Sequence, residues 1–185
     1  MSSMTGARSK RTVRIGVLLA LQVLFLLGLA GSYYATGWFG KEIRLQTAPV
    51  DPRDLFYGDY VRLSYDISRI PVSKWTGEEP IQAENYPVGK KVYVLLQPGA
   101  DGVYEVKSAS YDKLQAAGEE TVLEGRLEWV SSLQAAVEAV VEYGLERYYV
   151  PEGTGRELED QARNMIVRVQ VAPWGQKKIS GYEWK

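Results

Sequence analysis

Hydrophobic and polar positions along the chain fall into two regimes. From Ile15 to Tyr34 no residue is charged, and Gln22 is the single strongly polar interruption. At ~1.5 Å of rise per residue such a run covers the ~30 Å hydrocarbon core of a bilayer. No polar face breaks it, as one would in the amphipathic helix of a soluble protein. Tyr33, Tyr34 and Trp38 follow at the far end, where amphipathic rings prefer the headgroup layer. The pattern predicts a tail over 1–14, a transmembrane anchor in contact with lipid over 15–35, and a link over 36–41. Gly28 and Ala30 stand at a plausible cleavage spacing. The run nevertheless exceeds the ~7–15 apolar residues of a secretory signal core, so the anchor is expected to stay attached.

Beyond the link the pattern becomes alternating, and 42–185 reads as one mainly β, or α+β, domain. Glu42–Thr47 places Ile43 and Leu45 on one face. Tyr60–Ile67 reads as a half-buried strand, with Val61, Leu63, Tyr65 and Ile67 opposite Tyr60, Arg62, Ser64 and Asp66. APVDPRD, between these segments, has the prolines and aspartates of a turn. Pro71, Pro80 and Pro87 fall within 68–89, which reads as a long surface loop with at most one helical turn. Val92–Gln97 and Val103–Ser110 flank PGADG as a hairpin. Further strands are expected over Thr121–Val130, from Val137 to Tyr143, over Met165–Val171 and over Lys177–Trp184, with a turn at PWGQ. Thr154 and Glu157 form a capping box, which predicts a short helix over Gly155–Arg163.

Charge sharpens the division. The 185 residues carry net charge −1, yet Arg8, Lys10, Arg11 and Arg14 all precede the first acid, Glu42. The first 40 residues are therefore +4, and eighteen cations against 23 acids leave the remainder at −5. Basic residues mark the cytoplasmic side, so the amino terminus is expected inside and the domain on the outer face of the cytoplasmic membrane. An acidic domain argues against a nucleic-acid partner, because phosphate contacts need a basic face.

The chain has no His and no Cys. This removes Ser-His-Asp and Cys-His catalysis, thiolate and imidazole zinc sites, c-type haem attachment, iron–sulfur clusters and disulfides. Paired carboxylates, a Ser-Lys dyad or an oxygen-ligated hard cation remain. No Asp-x-Asp-x-Asp-Gly loop occurs, and no metal or cofactor is predicted. Ser110 and Lys113 match Ser-x-x-Lys but follow a strand instead of opening a buried helix, so the match is read as chance.

The segment GDYVRLSY, 58–65, resembles the motif of the GDYXXLXY family of bacterial membrane-anchored proteins. Gly58, Asp59, Tyr60, Leu63 and Tyr65 all fit. PVDPRDLFY ahead of it and YGLERYYVPEGTGRELE behind it resemble that family's other blocks, as do the basic start, single anchor and outer domain. The resemblance spans essentially the whole chain. It implies association with a multi-pass membrane protein and implies no reaction. PVDPRDLFYGDYV is also similar to the nucleophile box of type I signal peptidases at Pro52, Leu55, Gly58 and Asp59. Pro49 stands where the serine would be, so that similarity implies an inactive copy.

Read physically, Gly58 suits a positive φ at a strand entrance, and Asp59 suits an Asx-turn. Leu63 and Tyr65 share a core face. Tyr143, Glu146, Arg147, Tyr148, Glu152, Arg156 and Glu157 concentrate charge and phenol in a second block. If this block lies against the first, Asp51, Arg53, Asp54 and Asp59 can pair with Arg147 and Arg156, a structural outcome. Alternatively Asp59 with Glu146 or Glu152 forms a carboxylate pair, which in a cell-envelope hydrolase would stand ~5–9.5 Å apart across an open cleft. The thirteen Tyr and five Trp suit either a core or a glycan-binding platform. The scattered Trp spacing favours core use, with Trp75 in the long loop as the candidate exposed contact. The reading is a non-catalytic binding or accessory module that uses the 49–60 turn, the 143–157 block and Trp75. The hydrolase and the glycan-binding module are its alternatives.

Overall fold

The computed structural model describes residues 5–48, 60–77, 86–131, 137–149 and 165–184. Helix α1 (Thr5–Phe39) leads almost directly into β1 (Lys41–Ala48). Within it, Lys10–Phe39 is long and apolar enough to cross a membrane, and its apolar stretch is covered by no part of the domain. The expected link over 36–41 is helical through Phe39: no proline interrupts it, and the helix carries Gly37 within it. The Gly40 N–H donates to the Thr36 carbonyl at 3.0 Å. A Cβ on Gly40 would lie 2.3 Å from that oxygen, so only glycine lets the chain turn so abruptly from helix to strand.

Among the described residues the remainder is mainly β structure. The further strands are β2 (Tyr60–Arg62), β3 (Ser64–Tyr65), β4 (Arg69–Pro71), β5 (Lys91–Pro98) and β6 (Tyr104–Ser110). They continue with β7 (Thr121–Ser131), β8 (Glu138–Glu142), β9 (Arg147–Tyr149), β10 (Met165–Val171) and β11 (Lys177–Trp184). One sheet runs β11-β10-β1-β3 and the other β4-β8-β7-β5-β6, with β2-β9 as a separate ribbon. Among the described residues these strands all pair antiparallel. Ile43 and Leu45 of β1 and Val167 and Val169 of β10 join Val92, Val94 and Leu96 of β5 and Leu123 and Leu127 of β7 in one core. Each such fully buried aliphatic side chain contributes roughly 1.5–3 kcal/mol by leaving water. The alternation read from the sequence thus works as expected: apolar positions of both sheets face each other.

Four expectations change. The strand expected over Tyr60–Ile67 is broken, because the chain changes partners within it. β2 pairs with β9, β3 pairs with β1, and Asp66–Ser68 closes as a 3₁₀ turn. Leu63, Tyr65 and Ile67 still reach the core. The loop expected over 68–89 holds an edge strand, β4, and a 3₁₀ turn at Val72–Lys74. Trp75 is not an exposed contact. It is half-buried against the core, with its ring edge-on to Tyr111 at 5.0 Å. Nor do the other tryptophans build the core: Trp38, Trp129, Trp174 and Trp184 are exposed. For Trp129 the cause is a bulge. The β7–β8 register slips between Leu127 and Trp129, so the extra residue turns Trp129 outward and returns Val130 to the interior. The helix expected over Gly155–Arg163 lies outside the described residues.

Candidate functional site

The two sequence blocks meet. β2 pairs with β9 in the register Tyr60 to Tyr149, Val61 to Tyr148 and Arg62 to Arg147. Just after it, the Leu63 N–H donates to the Glu146 carbonyl at 2.7 Å. Two buried phenols then cross-tie the segments in opposite senses. Tyr65 donates to the Leu145 carbonyl at 2.8 Å, and Tyr143 donates to the Ile67 carbonyl at 2.7 Å. Burial, reinforced by the Glu146 charge, pushes both phenols well above their ordinary range. Both therefore remain protonated donors at any physiological pH.

Between them the chain reverses at Gly144, whose φ is +74°. The Glu146 side chain folds back and accepts the Tyr143 N–H at 2.5 Å. Burial raises the Glu146 carboxyl above the usual carboxylate range, and the nearby Glu142 raises it further. The backbone N–H groups of Tyr143, Gly144 and Glu146 pull the other way. Glu146 is thus the cap of its own turn.

The turn forms one wall of an open cleft of about 440 Å³. Glu124, Arg126, Glu142, Arg147 and Lys177 bring charge to it from β7, β8, β9 and β11, and Glu146 from the turn itself. Burial pushes the Lys177 ammonium below the usual lysine range, against the opposing pull of Glu124 and Glu146. Its Nζ donates to the Glu124 carbonyl at 2.5 Å, while the Glu124 carboxylate pairs with Lys91 at 2.6 Å. Gly125 forms the floor. A Cβ there would lie 2.4 Å from the Val141 side chain and 3.1 Å from the Tyr143 ring. The cleft therefore offers hydrogen-bonding groups of both signs. Among the described residues no cluster of three or more acids could hold a metal ion.

Of the residues singled out in the sequence, Tyr143, Glu146 and Arg147 line this cleft, and Leu63 and Tyr65 lie in the core. The backbone of Tyr60 pairs with Tyr149. Trp75 packs elsewhere, beside Tyr111. Arg53, Asp54, Gly58, Asp59 and Glu152 lie outside the described residues, and with them the proposed pairing of Asp59 with Glu146 or Glu152. Sequence reasoning missed Glu124, Arg126, Glu142 and Lys177. Each sits at an ordinary polar position of a strand, and nothing local marks it, because the cleft is assembled from strands distant in sequence.

Fold and site together define a two-sheet β domain carried on one N-terminal apolar helix. The chain belongs to the GDYXXLXY protein family, which matches residues 22–181. No curated protein and no solved structure matches it.

Proposed function

We propose that this protein is a non-catalytic binding or accessory module of the cytoplasmic membrane. In this reading α1 spans the bilayer with the amino terminus inside, the β domain lies on the outer face, and the partner is a multi-pass membrane protein. The observation that carries the reading is the joint between helix and sheet. Gly40 alone separates α1 from β1, and the buried Thr36 donates to the Gln176 side chain at 3.0 Å. A domain joined this stiffly holds its surfaces at one height above the bilayer, where a neighbour in the same membrane can meet them.

Two further features support it. Gly28 and Ser32 lie one turn apart on α1, and the space where a Gly28 side chain would be is open. Small residues at this spacing allow close approach of another transmembrane helix. The described residues of the two blocks also serve the fold: Tyr65 and Tyr143 clamp, and Glu146 caps. The test is purification of the full-length chain from its native membrane in mild detergent. A stoichiometric multi-pass protein should accompany it. Recovery of the chain alone as a monomer would overturn the reading.

One observation favours the hydrolase alternative. Glu146 and Lys177, shifted in opposite directions by burial, share an open cleft, as acid–base pairs in enzymes do. Under that reading Glu146→Gln abolishes a turnover measurable on envelope polymers. Under the accessory reading it alters only stability.

A further inference from the structure

The outer end of α1 and the turn between β10 and β11 make one surface. The Gln176 side-chain oxygen accepts both the Thr36 hydroxyl, at 3.0 Å, and the Trp174 indole N–H, at 3.2 Å. The Lys178 ammonium lies 4.9 Å from the centre of the Tyr33 ring, a cation–π contact that adds a second tie between helix and sheet. Around this joint the aromatic rings are open: Trp38 is 83% exposed, Phe39 68% and Trp174 52%.

The height of the joint follows from the helix. Thr36 stands two residues beyond Tyr34, where twenty residues counted from Ile15 have crossed the ~30 Å hydrocarbon core, and so lies ~3 Å further along the axis. The headgroup region adds ~5–8 Å outside the hydrocarbon on each side. The Trp174 indole, tied through Gln176 to Thr36, therefore falls within that region. Indole rings prefer this layer, where the apolar body and the N–H are both accommodated. Cations are at hand as well. Lys41 and Lys113 line a cleft of about 400 Å³ beside Phe39 and Trp174. The acids in it, Glu120 and Glu124, are paired with Lys107 and Lys91.

Given that α1 spans the membrane, we infer that the turn Pro173–Trp174–Gly175 is a second membrane contact, seated among phospholipid headgroups beside the helix. The helix fixes the domain's height, and the turn fixes its tilt. The occupant of this aromatic surface is the bilayer itself.

The chain has no cysteine, so single spin labels can be placed on the full-length protein without further changes. Pro173→Cys, Phe25→Cys and Glu128→Cys report the turn, the helix and a distant exposed position. Each variant is reconstituted in vesicles of phosphatidylethanolamine and phosphatidylglycerol. Relative accessibility to oxygen, which partitions into lipid, and to a water-soluble nickel chelate is then measured by power saturation. The expected ratio at 173 lies between those at 25 and 128, several-fold above the latter, and it drops when Trp174→Ser is added. A lipid-exposed label at 25 with a fully aqueous one at 173 overturns the turn contact and leaves the spanning helix standing. An aqueous label at 25 overturns both. A ratio at 173 unchanged by Trp174→Ser removes the indole from the contact and overturns the assignment.

Discussion

Tyr65 shows how much one atom can hold. Its hydroxyl and that of Tyr143 each satisfy a carbonyl of the opposite segment, Leu145 and Ile67. Tyr65→Phe keeps the ring and strands the Leu145 carbonyl, which costs about 1–3 kcal/mol when a buried acceptor loses its donor. Denaturant unfolding of the full-length chain in detergent should show that loss. No change would mean that the hydroxyl has no structural role. Gly125 is as sensitive for the opposite reason. A methyl there meets Val141 and the Tyr143 ring, and Gly125→Ala should cost about 1–3 kcal/mol by overpacking, read as a lower unfolding midpoint. The Lys177 ammonium makes a pH prediction. Its folded pKa lies below the ordinary 10.5, so the unfolded chain binds its proton more tightly. Stability from this group is therefore depressed below the folded pKa and rises as pH climbs from there toward 10.5. Lys177→Met should flatten the alkaline rise in Tm, and an unchanged slope would contradict the burial effect. Glu146 has the reverse sign: raised above 4.5, its contribution is greatest at acid pH and fades as pH rises through the folded value.

Among elements, the junction of α1 with β1 is the most constrained. Helix geometry runs to Phe39, and the sheet begins at Lys41. Gly40→Val drives a side chain into the Thr36 carbonyl, so the last helical turn must open. Trypsin should then cut after Lys41 at least about tenfold faster, the equivalent of ~1.4 kcal/mol in the opening equilibrium. Equal rates in the two proteins would show that the joint is already loose. The bulges act at the same scale. Each adds one residue to one strand and so reverses which face every later side chain takes. The slip between Arg168 and Val169 in the β10–β11 pairing leaves Ser180 without a partner residue, and its hydroxyl turns back to the Arg168 carbonyl at 3.1 Å.

For the molecule as a whole, charge and architecture point the same way. Four cations precede the apolar helix and a remainder of net charge −5 follows it, the asymmetry that the positive-inside rule associates with the topology proposed above. A single cysteine at Glu128 should react with a membrane-impermeant maleimide on intact cells stripped of their wall, whereas one at Ser3 should react only after lysis. The opposite pattern would invert the proposed topology. The same architecture accounts for three of the exposed aromatic rings. Trp38, Phe39 and Trp174 are exposed where the helix meets the sheet, while the residues between the sheets are chiefly aliphatic.

Much of this was legible in the chain because it depends on neighbours. A twenty-residue uncharged run needs no tertiary context to be recognised, and the alternation in Glu42–Thr47 and Val167–Val171 already assigns each residue to a face. The family motif was visible for the same reason, since its five positions lie within eight residues. What local pattern does not carry is partnership. The tie of Tyr65 to Leu145, the cleft between Lys177 and Glu146, and the outward turn of Trp129 depend on strands far apart in sequence and on bulges that shift their register. Hydrophobic burial sets which face points inward, but only the assembled sheets decide which side chains meet.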